Sequence, residues 1–160
     1  MPDLNEQRLR ASFPGWPKRT PLVVLEQLRL IDRMMAPLVR GDRRWPEVPE
    51  VLLKAIDDAG SQFPEYQREF WAYALDWLAH AHEFGGDLSS AICCLEARLR
   101  MRSPRNPWRG NQYLALVKLL EAEGQTTAAR AYALHGLRYS RRQHNKDVEE
   151  ALARKLGELK

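Results

Sequence analysis

Long apolar runs are missing from this chain of 160 residues. Its uninterrupted apolar stretches fall far short of the roughly 18 residues that a membrane span needs. The first ten residues also lack the apolar segment of a secretory signal. We therefore expect a cytoplasmic protein that makes no contact with a membrane.

Cysteine is nearly absent as well, since the only two are the neighbours Cys93 and Cys94. Adjacent side chains on a helix point about 100° apart, so a disulfide between these two would break the helix. We expect both thiols to stay reduced and to pack as small apolar groups, which fits a reducing compartment.

Catalytic motifs are the third absence. The sequence has no glycine-rich phosphate loop, no nucleophile elbow and no cysteine–histidine pair of familiar spacing. Asp76, His80 and Glu83 share one helical face and could bind a metal with a ligand from another helix. However, Glu65 and Glu69 extend this face as a solvated acidic strip. We predict no enzyme activity, no metal and no cofactor.

No stretch alternates apolar and polar residues as a β-strand does. Apolar residues recur instead every three or four positions, which predicts an all-α fold of about seven antiparallel helices joined by short turns. The length favours a single domain. The clearest apolar faces are Val24, Leu28, Ile31, Met35 and Leu38; Val51, Leu52, Ala55, Ile56 and Ala59; and Val148, Leu152, Leu156 and Leu159.

The stretch 63–84 holds seven of the fourteen aromatic residues. A helix that is apolar over most of its circumference is normally buried between neighbours, so we expect this to be the central helix. Its two apolar stripes are Tyr66, Phe70, Tyr73, Trp77, Ala81 and Phe84, and Trp71, Leu75, Leu78 and His82.

The first twenty residues are predicted to form an arm in front of a helical domain at 21–160. Residues 12–21 contain three prolines and a glycine, which interrupt regular structure, and only a short helix is expected at 3–11. Phe13 and Trp16 could pin the arm to the body or dock on a partner. Thr20 and Pro21 look like the cap and first residue of a helix.

Two stretches repeat one another at a distance of 38 residues. The turns Gly86-Asp87 and Gly124-Gln125 are each followed, five residues after the glycine, by an alanine. These spacings resemble the tetratricopeptide repeat over about 72–104 and 110–142, although that family repeats every 34 residues. A helical bundle without repeats is the alternative. The other matched positions are Leu75, Leu78, Ala79 and His82 with Tyr113, Leu116, Val117 and Leu120, and Leu95 with Ala133.

The resemblance implies helical hairpins over about 64–142, a capping helix at 145–160, and a concave groove lined by the first helix of each pair. A mostly acidic groove would prefer a basic or mixed-charge segment of a protein partner. The implied groove residues are Tyr73, Asp76, His80 and Glu83 in one repeat and Asn111, Leu114, Lys118 and Glu121 in the next.

Charge is unevenly distributed. Residues 45–97 hold ten acidic and two basic side chains, whereas the rest of the chain holds 11 acidic and 23 basic ones. Basic runs beside aromatic residues suit nucleic acids, although arginines near helix C-termini also interact with free carbonyls and the helix dipole. The two runs are Arg98, Arg100, Arg102, Arg105 and Arg109 beside Trp108, and Arg138, Arg141, Arg142, His144 and Lys146 beside Tyr139.

Two functions follow from these patterns. The first is non-enzymatic protein binding, as an adaptor, a chaperone-like subunit or a small subunit of a larger assembly. The alternative is a nucleic-acid-binding accessory protein that uses the arginine-rich runs. Acidic and basic segments on one chain suit either partner.

Overall fold

A computed structural model describes residues 4–39, 47–101 and 106–160. Every regular element within these ranges is helical, which confirms the all-α prediction. No helix among these residues is long and apolar enough to cross a membrane. The helices are α1 Leu4–Ser12, α2 Leu22–Val39, α3 Val48–Gln62, α4 Gln67–Phe84 (preceded by a 3-10 turn at Pro64–Tyr66), α5 Leu88–Arg100, α6 Arg109–Ala122, α7 Thr126–Arg142 and α8 Lys146–Glu158.

The chain divides into two compact units. Unit 1 is Met1–Gly86 and contains α1–α4, and unit 2 is Asp87–Lys160 and contains α5–α8. The boundary lies in the turn between Gly86 and Asp87. The two helices of the first expected repeat therefore belong to different units, whereas the second, α6 and α7, lies within unit 2.

The core of unit 1 follows the helical periodicity. The α2 stripe from Val24 to Met35 is buried, and α4 packs against both α2 and α3. Two expected core residues are exposed: Val51 by 42% and Phe84 by 56%. Phe84 is the last residue of α4, and the two glycines after it have no side chains to cover its ring.

The arm is pinned to unit 1 by its aromatic residues, which confirms one of the two roles expected for them. Phe13 is buried, and its ring meets Tyr73 edge-on with 6.1 Å between the ring centroids. Trp16 stacks near Tyr66 at 6.3 Å and lies 5.8 Å from Phe70.

The start of α2 differs from the sequence-based expectation. The Thr20 hydroxyl donates a hydrogen bond to the Pro17 carbonyl at 2.7 Å, and α2 begins at Leu22. The Arg10 guanidinium donates to the carbonyls of Lys18 and Thr20, at 2.9 Å each. Thr20 therefore closes the turn in front of the helix, because its hydroxyl is turned back toward the arm.

A polar contact joins α2 to α4 inside unit 1. The Trp77 indole Nε1–H donates to Asp32 Oδ1 at 3.2 Å. Burial raises the pKa of Asp32 above its ordinary 3.8, and the hydrogen bond from Trp77 opposes this shift. The half-buried Asp32 carboxylate is thus held in the fold at some cost to stability.

Unit 2 is built from successive antiparallel helices. α7 packs against both α6 and α8, and α8 also contacts α6. Two helices of this unit begin with a side-chain cap: at α5, Asp87 Oδ1 accepts from the Ser90 N–H at 3.1 Å, and at α8, Asn145 Oδ1 accepts from the Val148 N–H at 3.3 Å. Gly124, in the turn between α6 and α7, has a φ of +73°, which few other residues adopt.

α7 lies very close to both of its neighbours at Gly136. A Cβ atom there would lie 2.7 Å from Tyr113 Cβ on α6 and 2.9 Å from Leu152 Cδ1 on α8. Only a residue without a side chain lets the three helices pack at this distance.

Cys93 and Cys94 are free thiols on α5. Cys94 is half-buried, and burial raises its pKa. Cys93 is exposed, so the expectation that it packs in the core was wrong.

The first prediction concerns this close packing. Gly136→Ala should lower the free energy of unfolding by about 1–3 kcal/mol, because Tyr113 Cβ belongs to a helix and cannot rotate away. Urea denaturation followed by circular dichroism measures the change.

The matched control is Gly157→Ala in the last turn of α8, where a Cβ meets nothing within 4 Å. Alanine should be neutral there or stabilise by up to about 1 kcal/mol, since it restricts the unfolded chain. Equal effects of the two substitutions would contradict the close approach of α7.

The second prediction concerns Asp32. Because its pKa is raised in the folded state, the unfolded chain ionises first as the pH rises above 3.8, so the ionised carboxylate lowers stability at neutral pH. Asp32→Asn should therefore stabilise the protein at pH 7, by less than about 1 kcal/mol given its partial exposure. The asparagine Oδ1 can still accept the Trp77 hydrogen bond.

The gain should shrink as the pH falls toward 3.8, where both states become protonated. Parallel urea titrations at several pH values measure it, with Asp57→Asn at an exposed carboxylate of α3 as the control. A destabilising effect of Asp32→Asn at pH 7 would refute the assignment.

Candidate interaction surfaces

The acidic face of α4 is only partly open to solvent. Tyr73 and Asp76 are half-buried, whereas His80 and Glu83 are exposed. The His80 ring lies 6.3 Å from the ring of Trp77. No three His, Cys, Asp or Glu side chains in the described ranges are placed to hold a metal ion. The accessible part of this face is therefore its last two turns.

The expected groove positions on α6 lie in unit 2. Asn111 and Lys118 are exposed, but Glu121 accepts a hydrogen bond from Lys155 of α8 at 2.6 Å. Lys155 also pairs with Glu158 at 3.1 Å. Because the α4 residues belong to unit 1, a continuous groove that joins them to Asn111 and Lys118 stays a prediction.

The first arginine run is divided by the fold. Arg98 is 7% exposed, so the surface role expected for it is not supported by its position. Arg100 is exposed at the end of α5, and Trp108 is 55% exposed just before α6. Arg102 and Arg105 lie outside the described residues.

The second run is mostly exposed. Arg138, Arg142 and Lys146 face solvent, whereas Arg141 Nε donates to Glu149 Oε1 of α8 at 2.7 Å. Arg141 is therefore already engaged with a carboxylate.

The described residues of the two runs lie at the same end of unit 2. The C-termini of α5 and α7 lie beside the N-termini of α6 and α8, because successive helices run in opposite directions. A Cβ atom at Gly110 on α6 would lie 3.3 Å from Ser140 Oγ on α7 and 3.2 Å from Val148 Cγ1 on α8. We call this region the arginine–tyrosine end, which comprises Arg100, Trp108, Arg109, Tyr113, Arg138, Tyr139, Arg142 and Lys146.

Arg109 joins the two runs directly. Its guanidinium carbon lies 5.6 Å from the ring centroid of Tyr113 and 5.7 Å from that of Tyr139. The two rings are 6.2 Å apart, and Arg109 Nη2 donates to the Tyr113 hydroxyl at 3.4 Å. Cation–π attraction to two rings fixes the guanidinium while its remaining N–H groups stay available.

Helical spacing places His135, Arg138, Tyr139 and Arg142 on one side of α7. Tyr132, one turn before His135, lies on this side too, and its hydroxyl donates to Glu96 of α5 at 3.0 Å. Burial, followed by the hydrogen bond to Glu96, raises the pKa of Tyr132, and the positive charge of Arg100 acts against the shift.

Tyr113 and Tyr132 were not among the sequence-predicted interface residues. Tyr113 follows Arg109 by four positions, a spacing that brings side chains together on a helix. This spacing was the signal in the sequence that could have indicated their contact. The contact of Arg109 with Tyr139 spans 30 residues of sequence, and no local pattern indicates it.

Comparison with known proteins adds no relative. No protein-family model, no curated protein and no solved structure matches this chain. The packed helical hairpins are compatible with a helical repeat, and the resemblance to the tetratricopeptide repeat rests on the residues of this sequence alone.

Proposed function

We propose that this protein is a non-enzymatic, cytoplasmic protein-binding module, an adaptor or a small subunit of a larger assembly. The observation that carries this proposal is the arginine–tyrosine end, where Trp108 is exposed directly before Arg109 at the start of a packed helix. Tryptophan, tyrosine and arginine are the residues most enriched at the energetic centres of protein interfaces.

The scaffold supports the proposal. α7 is held between α6 and α8 by packing that admits no side chain at Gly136, so the surface residues of this unit are carried on rigid elements. The turn at Gly124 and the buried Ala129 and Ala133 fit tetratricopeptide-like hairpins, a unit that other proteins use to bind partners.

Nucleic-acid binding is the alternative, and it would use the same arginines. Non-specific binding of single strands needs open aromatic faces on which bases can stack. Arg109 lies over Tyr113 and Tyr139, and Arg141 is paired with Glu149. We therefore favour a protein partner and treat nucleic acid as the rival outcome.

The third prediction is that the tagged full-length chain recovers a defined protein partner from its native host at a constant ratio, and that nuclease treatment does not release it. Trp108→Ala should reduce recovery at least tenfold, because interface tryptophans at such centres contribute about 2 kcal/mol or more. Quantitative mass spectrometry of the eluates provides the measurement.

Leu134→Ala is the matched control, since Leu134 is also exposed, by 42%, but lies outside the arginine–tyrosine end. Its recovery should equal that of the wild type. Paired Asp76→Lys and His80→Ala changes test the α4 face in the same assay, and loss of the partner there would support the predicted groove. Recovery of nucleic acid alone, with release by nuclease, would refute protein binding.

A further inference from the structure

We infer that the arginine–tyrosine end of unit 2 binds an acidic peptide segment of another protein, with its carboxylates on Arg109, Arg138 and Arg142 and an apolar side chain against Trp108. This inference rests on the proposed protein-binding function and specifies the chemistry of the partner.

Unneutralised positive charge is the first argument. Unit 2 contains fourteen basic and eight acidic residues. Within the described part of the chain, Arg100, Arg138, Arg142 and Lys146 make no ion pair or hydrogen bond through their side chains. A cluster of like charges disfavours the compact state and attracts a ligand of opposite sign.

The preorganisation of Arg109 is the second argument. An arginine side chain normally loses considerable rotamer freedom when it binds a ligand. The guanidinium of Arg109 is already fixed by two tyrosine rings and the Tyr113 hydroxyl, yet the side chain is only half-buried. A planar guanidinium with unused N–H groups is suited to the two oxygens of a carboxylate.

The same end of the unit already contains one pair of this type. Arg141 of α7 holds the Glu149 carboxylate of α8 at 2.7 Å. Arg138 and Arg142, on the same helix, have no such carboxylate among the described residues. An incoming acidic side chain would give them the contact that Glu149 gives Arg141.

Several features favour a peptide over a nucleic acid. The first turn of α8 holds Asp147 directly after Lys146, and this carboxylate would repel a phosphate chain that continued past Lys146. A peptide can place its separate carboxylates on the arginines and avoid Asp147. Trp108 offers one exposed ring, which suits a single apolar anchor better than a series of stacked bases.

The fourth prediction tests this surface with a short fluorescent peptide of Asp and Glu around one central Leu. Fluorescence anisotropy with the full-length chain should show saturable binding that weakens between about 50 and 200 mM salt, as expected for exposed charge pairs. Arg138→Glu with Arg142→Glu should weaken it at least tenfold, and a peptide with Ser in place of Leu should bind several-fold more weakly.

Two further variants separate charge from geometry. Arg109→Lys keeps the positive charge but removes the planar guanidinium, so affinity should fall about tenfold. Arg154→Glu, at an exposed arginine near the other end of α8, changes net charge as much as either single reversal. It should leave affinity within about twofold, because Arg154 lies outside the arginine–tyrosine end. Circular dichroism spectra that match the wild type establish that each variant is folded.

Several results would overturn the inference. One is a loss of binding with Arg154→Glu as large as that with the Arg138 and Arg142 reversals. Another is the absence of saturable binding of the acidic peptide. A third is tighter binding of an oligothymidine than of the peptide, if the Arg138 and Arg142 reversals abolish it. A dimer in sedimentation velocity that the acidic peptide dissociates would assign the surface to a second copy of this chain. If a co-purified partner survives the Arg138 and Arg142 reversals, protein binding stands and this inference fails.

Discussion

The close approach of α7 to its neighbours at Gly136 is the constraint on which unit 2 depends. The helix lies so near Tyr113 of α6 and Leu152 of α8 that a single added carbon would overlap both. Tyr113 is also one of the two rings beneath the Arg109 guanidinium. Tyr113 therefore belongs both to the packing of the core and to the candidate binding residues. A change in the core at this point should also alter the position of those surface residues.

The same packing holds the positive charge of Arg109 in a fixed position. A guanidinium in water samples many orientations, but two aromatic rings and a tyrosine hydroxyl restrict this one. Since Tyr139 lies on α7, the contact also fixes the end of α7 relative to the start of α6. The residue thus stabilises the arrangement that it presents to solvent, as is expected of side chains at a preorganised site.

The helices and their buried faces could be predicted from the sequence because apolar spacing is a local property. The caps at Asp87 and Asn145 are also local, since each depends on a side chain and a backbone N–H three residues away. The exposure of Val51 and Phe84 could not be predicted, because it depends on which neighbouring helix covers the position. The predicted cap at Thr20 was wrong for a related reason: its hydroxyl donates a hydrogen bond to the carbonyl of Pro17, three residues earlier.

The candidate site was predictable only as separate pieces. Each arginine run was visible in the sequence, and antiparallel helices make it natural for alternate ends to meet. Three features could not be predicted, because they depend on side chains of other helices. They are the burial of Arg98, the ion pair of Arg141 with Glu149 and the contact of Arg109 with Tyr139. Periodicity assigns a residue to a face of its own helix, and it carries no information about the residue opposite.

The arginines near helix ends have two explanations, and the contacts distinguish them. Arginine can satisfy free carbonyls, as Arg10 does with Lys18 and Thr20 at 2.9 Å each and Arg130 does with Leu159 at 3.0 Å. Arg138 and Arg142 make no such bond, although Arg142 lies in the last turn of α7. The helix dipole alone stabilises a cation there by only about 0.3–1 kcal/mol and requires no particular neighbours. Bonds to backbone carbonyls thus account for Arg10 and Arg130. They do not account for Arg138 and Arg142, and this is why we propose an anionic partner for those two.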